Sequence, residues 1–167
     1  MPISIKTQIE IEKMRVAGKL AAEVLEHISG SVVADVTTED LDRICHEYIV
    51  NVQKAIPAPL NYHGFPKSIC TSVNHVVCHG IPSDTRLKSG DIINIDVTVI
   101  KNGYHGDTSK MFGIGDISNK ASRLVDTCYE CLSEGIALVE PGQRLGTIGN
   151  KIQGLAESKK YSVVREY

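Results

Sequence analysis

Asp96 and Asp107 stand on the two arms of NIDVTVIKNGYHGDT (residues 94–108), and no other pair of residues in the chain is better spaced for chemistry. Between them lies Asn102-Gly103, the strongest short signal for a type I′ turn. With those two as the loop residues, Lys101 faces Tyr104, Val99 faces Gly106, Thr98 faces Asp107 and Asp96 faces Ser109. Side chains alternate faces along a strand, so Asp96, Thr98, Asp107 and Ser109 share one face and Ile95, Val97 and Val99 share the other. The acids are diagonal neighbours, with Cβ atoms roughly 7–8 Å apart or somewhat less. Carboxylates so placed can converge on one cation, or on two cations ~3.5–4 Å apart. The hairpin alone leaves open a plain solvated face carrying both acids, since charged residues usually face water. Gly106 weighs against that, because a glycine in a strand lets another group approach the backbone beside the acid. Two carboxylates buried together without a cation would repel until one took a proton, and a divalent metal removes that conflict.

NHVVCHGIPSD (74–84) is a second stretch with chemistry in it, carrying His79 just before Gly80 and Pro82. Taken singly, His79 reads either as a core residue with a satisfied ring or as a catalyst. Cys78 reads as a small buried hydrophobe, since no second feature marks an activated thiolate. CYEC (128–131) matches Cys-x-x-Cys but falls inside an expected helix with no strand before it, so two helix-face thiols are the better reading. EGIALVEPGQRLGTIGN lacks the Lys-Ser/Thr of a phosphate loop, and its glycines read as helix ends.

The elements that must position these residues follow from periodicity. A first helix is expected over about 7–28, with Ile11, Met14, Gly18, Ala21, Leu25 and Ile28 on one stripe. A second starts near Thr37, with Asp40 as a weak capping partner and Leu41, Ile44, Cys45, Tyr48, Ile49 and Val52 on its buried face. AIPAPLNYHGFPKS, with three prolines and a glycine, reads as loop. Short strands are expected at about 68–73 and 76–79, the second ending on His79, before the hairpin. Helices over about 119–139 and 145–158 follow, the latter with Ile148, Ile152 and Leu155 inward, and YSVVREY reads as the start of a strand. The order implies an α+β fold with a mostly antiparallel sheet and helices packed on it.

Bulk properties narrow the function. The 167 residues, 42% hydrophobic, suffice for one domain with a core. A net charge of -2 with no basic run gives no reason to expect nucleic acid. The opening MPISIKTQIEIEKM is too polar for a signal peptide, and no apolar run approaches the ~20 residues that span a bilayer. Five scattered cysteines (Cys45, Cys70, Cys78, Cys128 and Cys131) point to reduced thiols and a cytoplasmic protein.

Three stretches carry a family resemblance: NYHGFPKSICTSVN with VCHGIP, GDIINIDVTVIKNGYHGDTSKMF, and SVVREY. Together they closely resemble bacterial type I methionine aminopeptidases, from the first helix to the last residue. The resemblance implies a creatinase-type pita-bread fold and a site for two divalent metals (Co, Mn, Fe or Zn), held by two Asp, one His and two Glu. Asp96 and Asp107 match the two Asp ligands, and His79 matches the histidine that hydrogen-bonds the scissile peptide. Tyr62, Phe65 and Cys70 fall where the family lines the pocket for the methionine side chain, although plain core packing accounts for each of them equally well when taken alone. The implied reaction is removal of the N-terminal methionine from nascent proteins with a small second residue. The implied partners are those N-termini, met at the ribosome, with no nucleic acid, no membrane and a monomeric enzyme when complete.

The chain also departs from the family. After SVVREY the family continues with its His ligand, a second substrate histidine and both Glu ligands, so residues 1–167 are expected to be a single, C-terminally truncated domain with two of the five protein ligands. Catalysis by this chain alone is not expected, and its last strand should leave an unpaired edge. His63 and His105 are the remaining candidate ligands, but His105, opposite Ile100, is expected on the face away from Asp107. His75 stands where the family usually has an acid, and IPSDTRLKSGD is a residue short of many relatives. Two other readings stay open: an inactive creatinase-fold relic or binding module, and a proline-specific peptidase, against which HGIP and the pocket stretch argue.

Overall fold

Thr7 starts the first helix by a reciprocal cap. Its hydroxyl accepts the Glu10 amide at 3.3 Å, and the Glu10 carboxylate accepts the Thr7 amide at 2.8 Å. The computed structural model describes residues 3–165, in which this helix, α1, spans Gln8–Ile28. Its buried stripe is Ala17, Ala21, Val24, Leu25 and Ile28, whereas Met14, expected inside, is 42% exposed. The reason lies across the interface: a Cβ on Gly106 would sit 2.0 Å from the Ala17 carbonyl oxygen. Helix and sheet meet backbone to backbone at Ala17, and the stripe begins at that contact.

Helix α2 (Thr38–Glu47) is capped by Thr37, whose hydroxyl accepts the Asp40 amide at 3.0 Å and donates to the Asp40 carboxylate at 2.6 Å. It runs on into a π-helical turn at Tyr48–Val52. The wider turn carries Val52 off the buried stripe, so that residue is exposed rather than inside as expected. Lys101 ties the end of this turn to the sheet by donating to the carbonyls of Gln53 and Lys54, at 2.8 Å each.

Ten residues of β3 (Ile92–Lys101) form the central strand. Its whole length pairs antiparallel with β4 (Tyr104–Gly113). The other edge is shared end to end by β2 (Cys70–Val73) and β1 (Ile56–Pro57). The β3–β4 register is the expected one, with Asp96 opposite Ser109, Thr98 opposite Asp107 and Val99 opposite Gly106. Asn102 and Gly103 both have positive φ (53° and 80°), as a type I′ turn requires. Ile93, Ile95, Val97 and Val99 are fully buried, and the core beneath them is completed by Val24 and Ile28 of α1 and by Leu41, Cys45 and Ile49 of the second helical segment.

Two further expectations fail, both between α2 and the hairpin. β1 forms inside the proline-rich stretch read as loop, because a short edge strand needs few donors and tolerates Pro57. No strand forms at 76–79. Asn74 and His79 both adopt left-handed φ (51° and 53°), which breaks the extended run and turns Gly80 back against β2. There the Thr71 amide donates to the Gly80 carbonyl at 2.8 Å, and a Cβ on Gly80 would lie 2.1 Å from the Thr71 oxygen.

The chain divides into two compact units, Met1–Ile117 and Ser118–Tyr167. In the second, α3 (Asn119–Ala137) and α4 (Leu145–Ser158) pack where Gly135 admits Ile148 and Ile152, and Glu134 pairs with Lys151 at 3.0 Å. The strand expected at YSVVREY is not formed over 161–165, and its last two residues lie outside the described range.

Candidate metal centre

The sheet face turned away from α1 carries the candidate site residues. Cys70 is the register partner of Asp96, so the Cys70 thiol and the Asp96 carboxyl leave the sheet side by side on the same face. Asp107 joins them from β4, diagonal to Asp96. Above this face opens a cavity of about 700 Å³, whose wall includes Asp96, Asp107, Cys70, His79, Tyr62 and Phe65, all six residues singled out in the sequence.

Twelve residues separate β1 from β2, and most of them form the loop that supplies the aromatic wall. The Ala58 amide donates to the Thr98 carbonyl at 2.9 Å, pinning the near end of this loop to β3. Within it the Asn61 amide donates to the Phe65 carbonyl at 2.8 Å and the Phe65 amide to the Tyr62 carbonyl at 2.9 Å. Asn61, His63 and Gly64 all take positive φ (67°, 48° and 83°), the tight path that presents Tyr62 and Phe65 to one cavity. The Tyr62 and His63 rings meet edge to face, 4.3 Å between centroids.

Electrostatics mark the acid pair. Burial pushes the Asp96 carboxyl above the ordinary aspartate range, the neighbouring Asp107 charge adds to this, and so does a hydrogen bond to Asp107. His79 and the Val97 amide pull the other way. Such a pair is short of positive charge, and a divalent cation is the partner that would let both acids ionise. Cys70 differs in kind. Burial first, and then the Asp96 charge, push its thiol up to about 11, so near neutral pH it is an uncharged, polarisable wall rather than a nucleophile.

Among the lining residues that the sequence does not mark as parts of the wall, three carry polar side chains: His63, Thr98 and His105. For His105 the expectation is overturned. It was placed on the face away from Asp107, yet it lines the same cavity. Residues 105 and 107 are two apart on β4, and Ile100, the partner of His105, is two apart from Thr98 on β3. Period-two alternation therefore puts His105 with the acids. Even so, among the described residues no three His, Cys, Asp or Glu side chains come together in a way that could hold a metal ion. The acid pair fits a divalent cation by charge and donor type, as two ligands of a larger set.

The profile of metallopeptidase family M24 matches residues 12–167, and the chain belongs to that family. Membership implies a bound metal. Among similar proteins, the methionine aminopeptidase of Rickettsia prowazekii is 56% identical over 167 residues, and that of Salmonella typhimurium is 61% identical over 168. Each alignment takes in 100% of this chain and 64% of the relative, so the chain spans a little under two thirds of the length of the relatives it matches. The crystal structure of the Rickettsia prowazekii enzyme superposes with a TM-score of 0.97, covering 99% of this chain and 66% of that one. Prolidase from Pyrococcus furiosus, 19% identical, shares the fold alone, at a TM-score of 0.79 over 94% of this chain and 45% of its own. The α+β architecture is thus that of the pita-bread fold. Among the described residues no helix is long and apolar enough to cross a membrane.

Proposed function

We propose that this chain carries part of the site of a methionyl aminopeptidase, which removes the N-terminal methionine from nascent proteins with a small second residue in the cytoplasm. The observation that carries this reading is the juxtaposition on one face of a mutually repelling carboxylate pair, Asp96 half-buried and Asp107 exposed, with a pocket walled by a neutral thiol and two aromatic rings. Asp96 and Asp107 would hold divalent metal, with Mn, Fe, Co and Zn all suited to carboxylate and imidazole donors and two ions in the complete site. Bound there, the metal would supply a water acidified toward neutral pH and an electrophile for the carbonyl. Cys70, Phe65 and Tyr62 take up the thioether side chain, for which a polarisable sulfur and aromatic faces are the apt surroundings. His79, on the cavity wall with a charge felt by Asp96, hydrogen-bonds the scissile peptide and steadies the tetrahedral carbon.

The test is release of methionine from Met-Ala-Ser with and without each divalent ion. It is run on the chain alone and on the chain mixed with a separately expressed polypeptide matching the remaining third of the relatives. Metal-dependent release in either sample supports the reading. If the chain binds metal but neither sample releases methionine, the half-site is a non-catalytic binding module, the reading that the two-ligand set favours. If no divalent ion binds even in the mixture, the metal assignment is wrong.

A further inference from the structure

The wall of the cavity is fixed from behind by α2. Asp42, buried on that helix, accepts the backbone amides of both Ser68 and Ile69 on one carboxylate oxygen, at 2.8 and 3.0 Å. One turn before it Glu39 pairs with Lys67, and one turn after it the His46 ring hydrogen-bonds the Ser68 hydroxyl at 2.8 Å. Three residues at helical spacing (39, 42 and 46) thus grip three consecutive residues (67–69), and the next residue in the chain is Cys70. The near end of the wall loop is held to β3 by Ala58, and its far end by this grip together with the β2–β3 pairing that begins at Cys70. A carboxylate that loses water is costly unless its lone pairs are filled, and burial does raise the Asp42 pKa while the two amides oppose the rise. An apolar residue at 42 would leave both amides without their acceptor, so the carboxylate is what holds residues 68 and 69 in place.

We propose that Asp42 is a positioning residue for the side-chain pocket: by clamping Ser68 and Ile69 it sets the depth of Cys70 beside Asp96 and the placing of Tyr62 and Phe65 above it. This deepens the substrate reading and rests on it. Of the two acids, Asp107 lies on β4, away from the clamp, while Asp96 faces Cys70 across the β2–β3 pairing.

The experiment compares Asp42→Ala, Asp42→Asn and Glu39→Ala in the full chain with two readouts. One is the rate at which iodoacetamide alkylates Cys70 relative to Cys45, which is buried in the core and reports unfolding of the whole unit. The other is the ratio of binding affinities for L-methioninol and L-leucinol, measured by calorimetry in the presence of Mn²⁺. Asp42→Ala should speed alkylation of Cys70 by about tenfold or more with Cys45 changed less than about twofold, and should bring the methioninol-to-leucinol ratio close to one. Asp42→Asn, which keeps an acceptor oxygen, should restore both to within about threefold of wild type. Glu39→Ala, an exposed anchor that folds without difficulty, should shift both in the same direction by about two- to threefold. Parallel acceleration at Cys70 and Cys45 overturns the proposal, since Asp42 would then be a stability residue only; so do unchanged values in Asp42→Ala. If the wild-type chain itself fails to prefer methioninol, the substrate reading has failed, and the Cys70-to-Cys45 ratio still decides whether the clamp exists.

Discussion

Gly106→Ala is the substitution whose outcome the geometry determines most sharply. An added Cβ would lie 2.0 Å from the Ala17 oxygen, 2.1 Å from its carbonyl carbon and 2.5 Å from the Gly18 nitrogen. All three are backbone atoms of α1, so no side chain can swing aside. Contact at ordinary van der Waals separation requires α1 to retreat by roughly 1.5 Å, and a gap of even half that forfeits a quarter to a half of each dispersion contact it opens. The affected contacts are those of Ala21, Val24, Leu25 and Ile28 with the buried face of β3. Overpacking costs about 1–3 kcal/mol, and a backbone-to-backbone clash belongs at about 3. Replacing a strand glycine returns about 0.5–1 kcal/mol, leaving a net loss of about 2 kcal/mol or a little more. In a unit of this size that lowers Tm by roughly 8 °C. The control is Gly18→Ala, on the other side of the same contact. Its Cβ meets nothing within 4 Å, so the same mutation there should stabilise α1 by ~0.5–1 kcal/mol. Thermal unfolding followed by amide signals of the Met1–Ile117 unit measures both. A Gly106→Ala protein as stable as wild type, or two shifts of the same sign, would refute the packing argument.

Asp96→Asn and Asp107→Asn should each abolish the divalent binding seen in calorimetry, yet leave the metal-free protein as stable or up to about 1 kcal/mol more stable, because burial and then repulsion from Asp107 raise the Asp96 pKa and each change relieves at least the repulsion. Co²⁺ bound at the acid pair should broaden the ring resonances of His63, His79 and His105 while that of His27, stacked on Tyr48, stays sharp; a sharp His105 signal would move it off the cavity face. Glu10 is held below the ordinary glutamate range, first by the Thr7 amide and then by the Thr7 hydroxyl. A lowered folded pKa gives stability that is present above the ordinary value and lost as pH falls through the folded one. The Thr7 amide should therefore lose protection from hydrogen exchange with acid over that window, and in Glu10→Gln the pH dependence should vanish.

Much of the site could be read from the chain because it lies on a hairpin. Asn102-Gly103 fixes the turn, the turn fixes the register, and the register places Asp96 diagonal to Asp107 with no tertiary information. The same rule applied through to the turn puts His105 beside the acids, and only its misapplication set that residue on the opposite face. Capping residues fixed where α1 and α2 begin, for the bonds concerned span three residues. What only the tertiary structure decided are contacts between segments far apart in sequence. Whether Met14 or Ala17 is inside depended on where a strand nearly ninety residues later presses its glycine against the helix. The run 76–79, apolar enough for a strand, was bent into a loop by left-handed turns at Asn74 and His79 and by the pairing of Thr71 with Gly80. Asp42 looked like one more acid on a helix, until the fold set two backbone amides from 26 and 27 residues away against its carboxylate. Local hydrogen bonding is written in short sequence intervals, whereas the depth at which a side chain settles is set by whatever the fold brings to meet it.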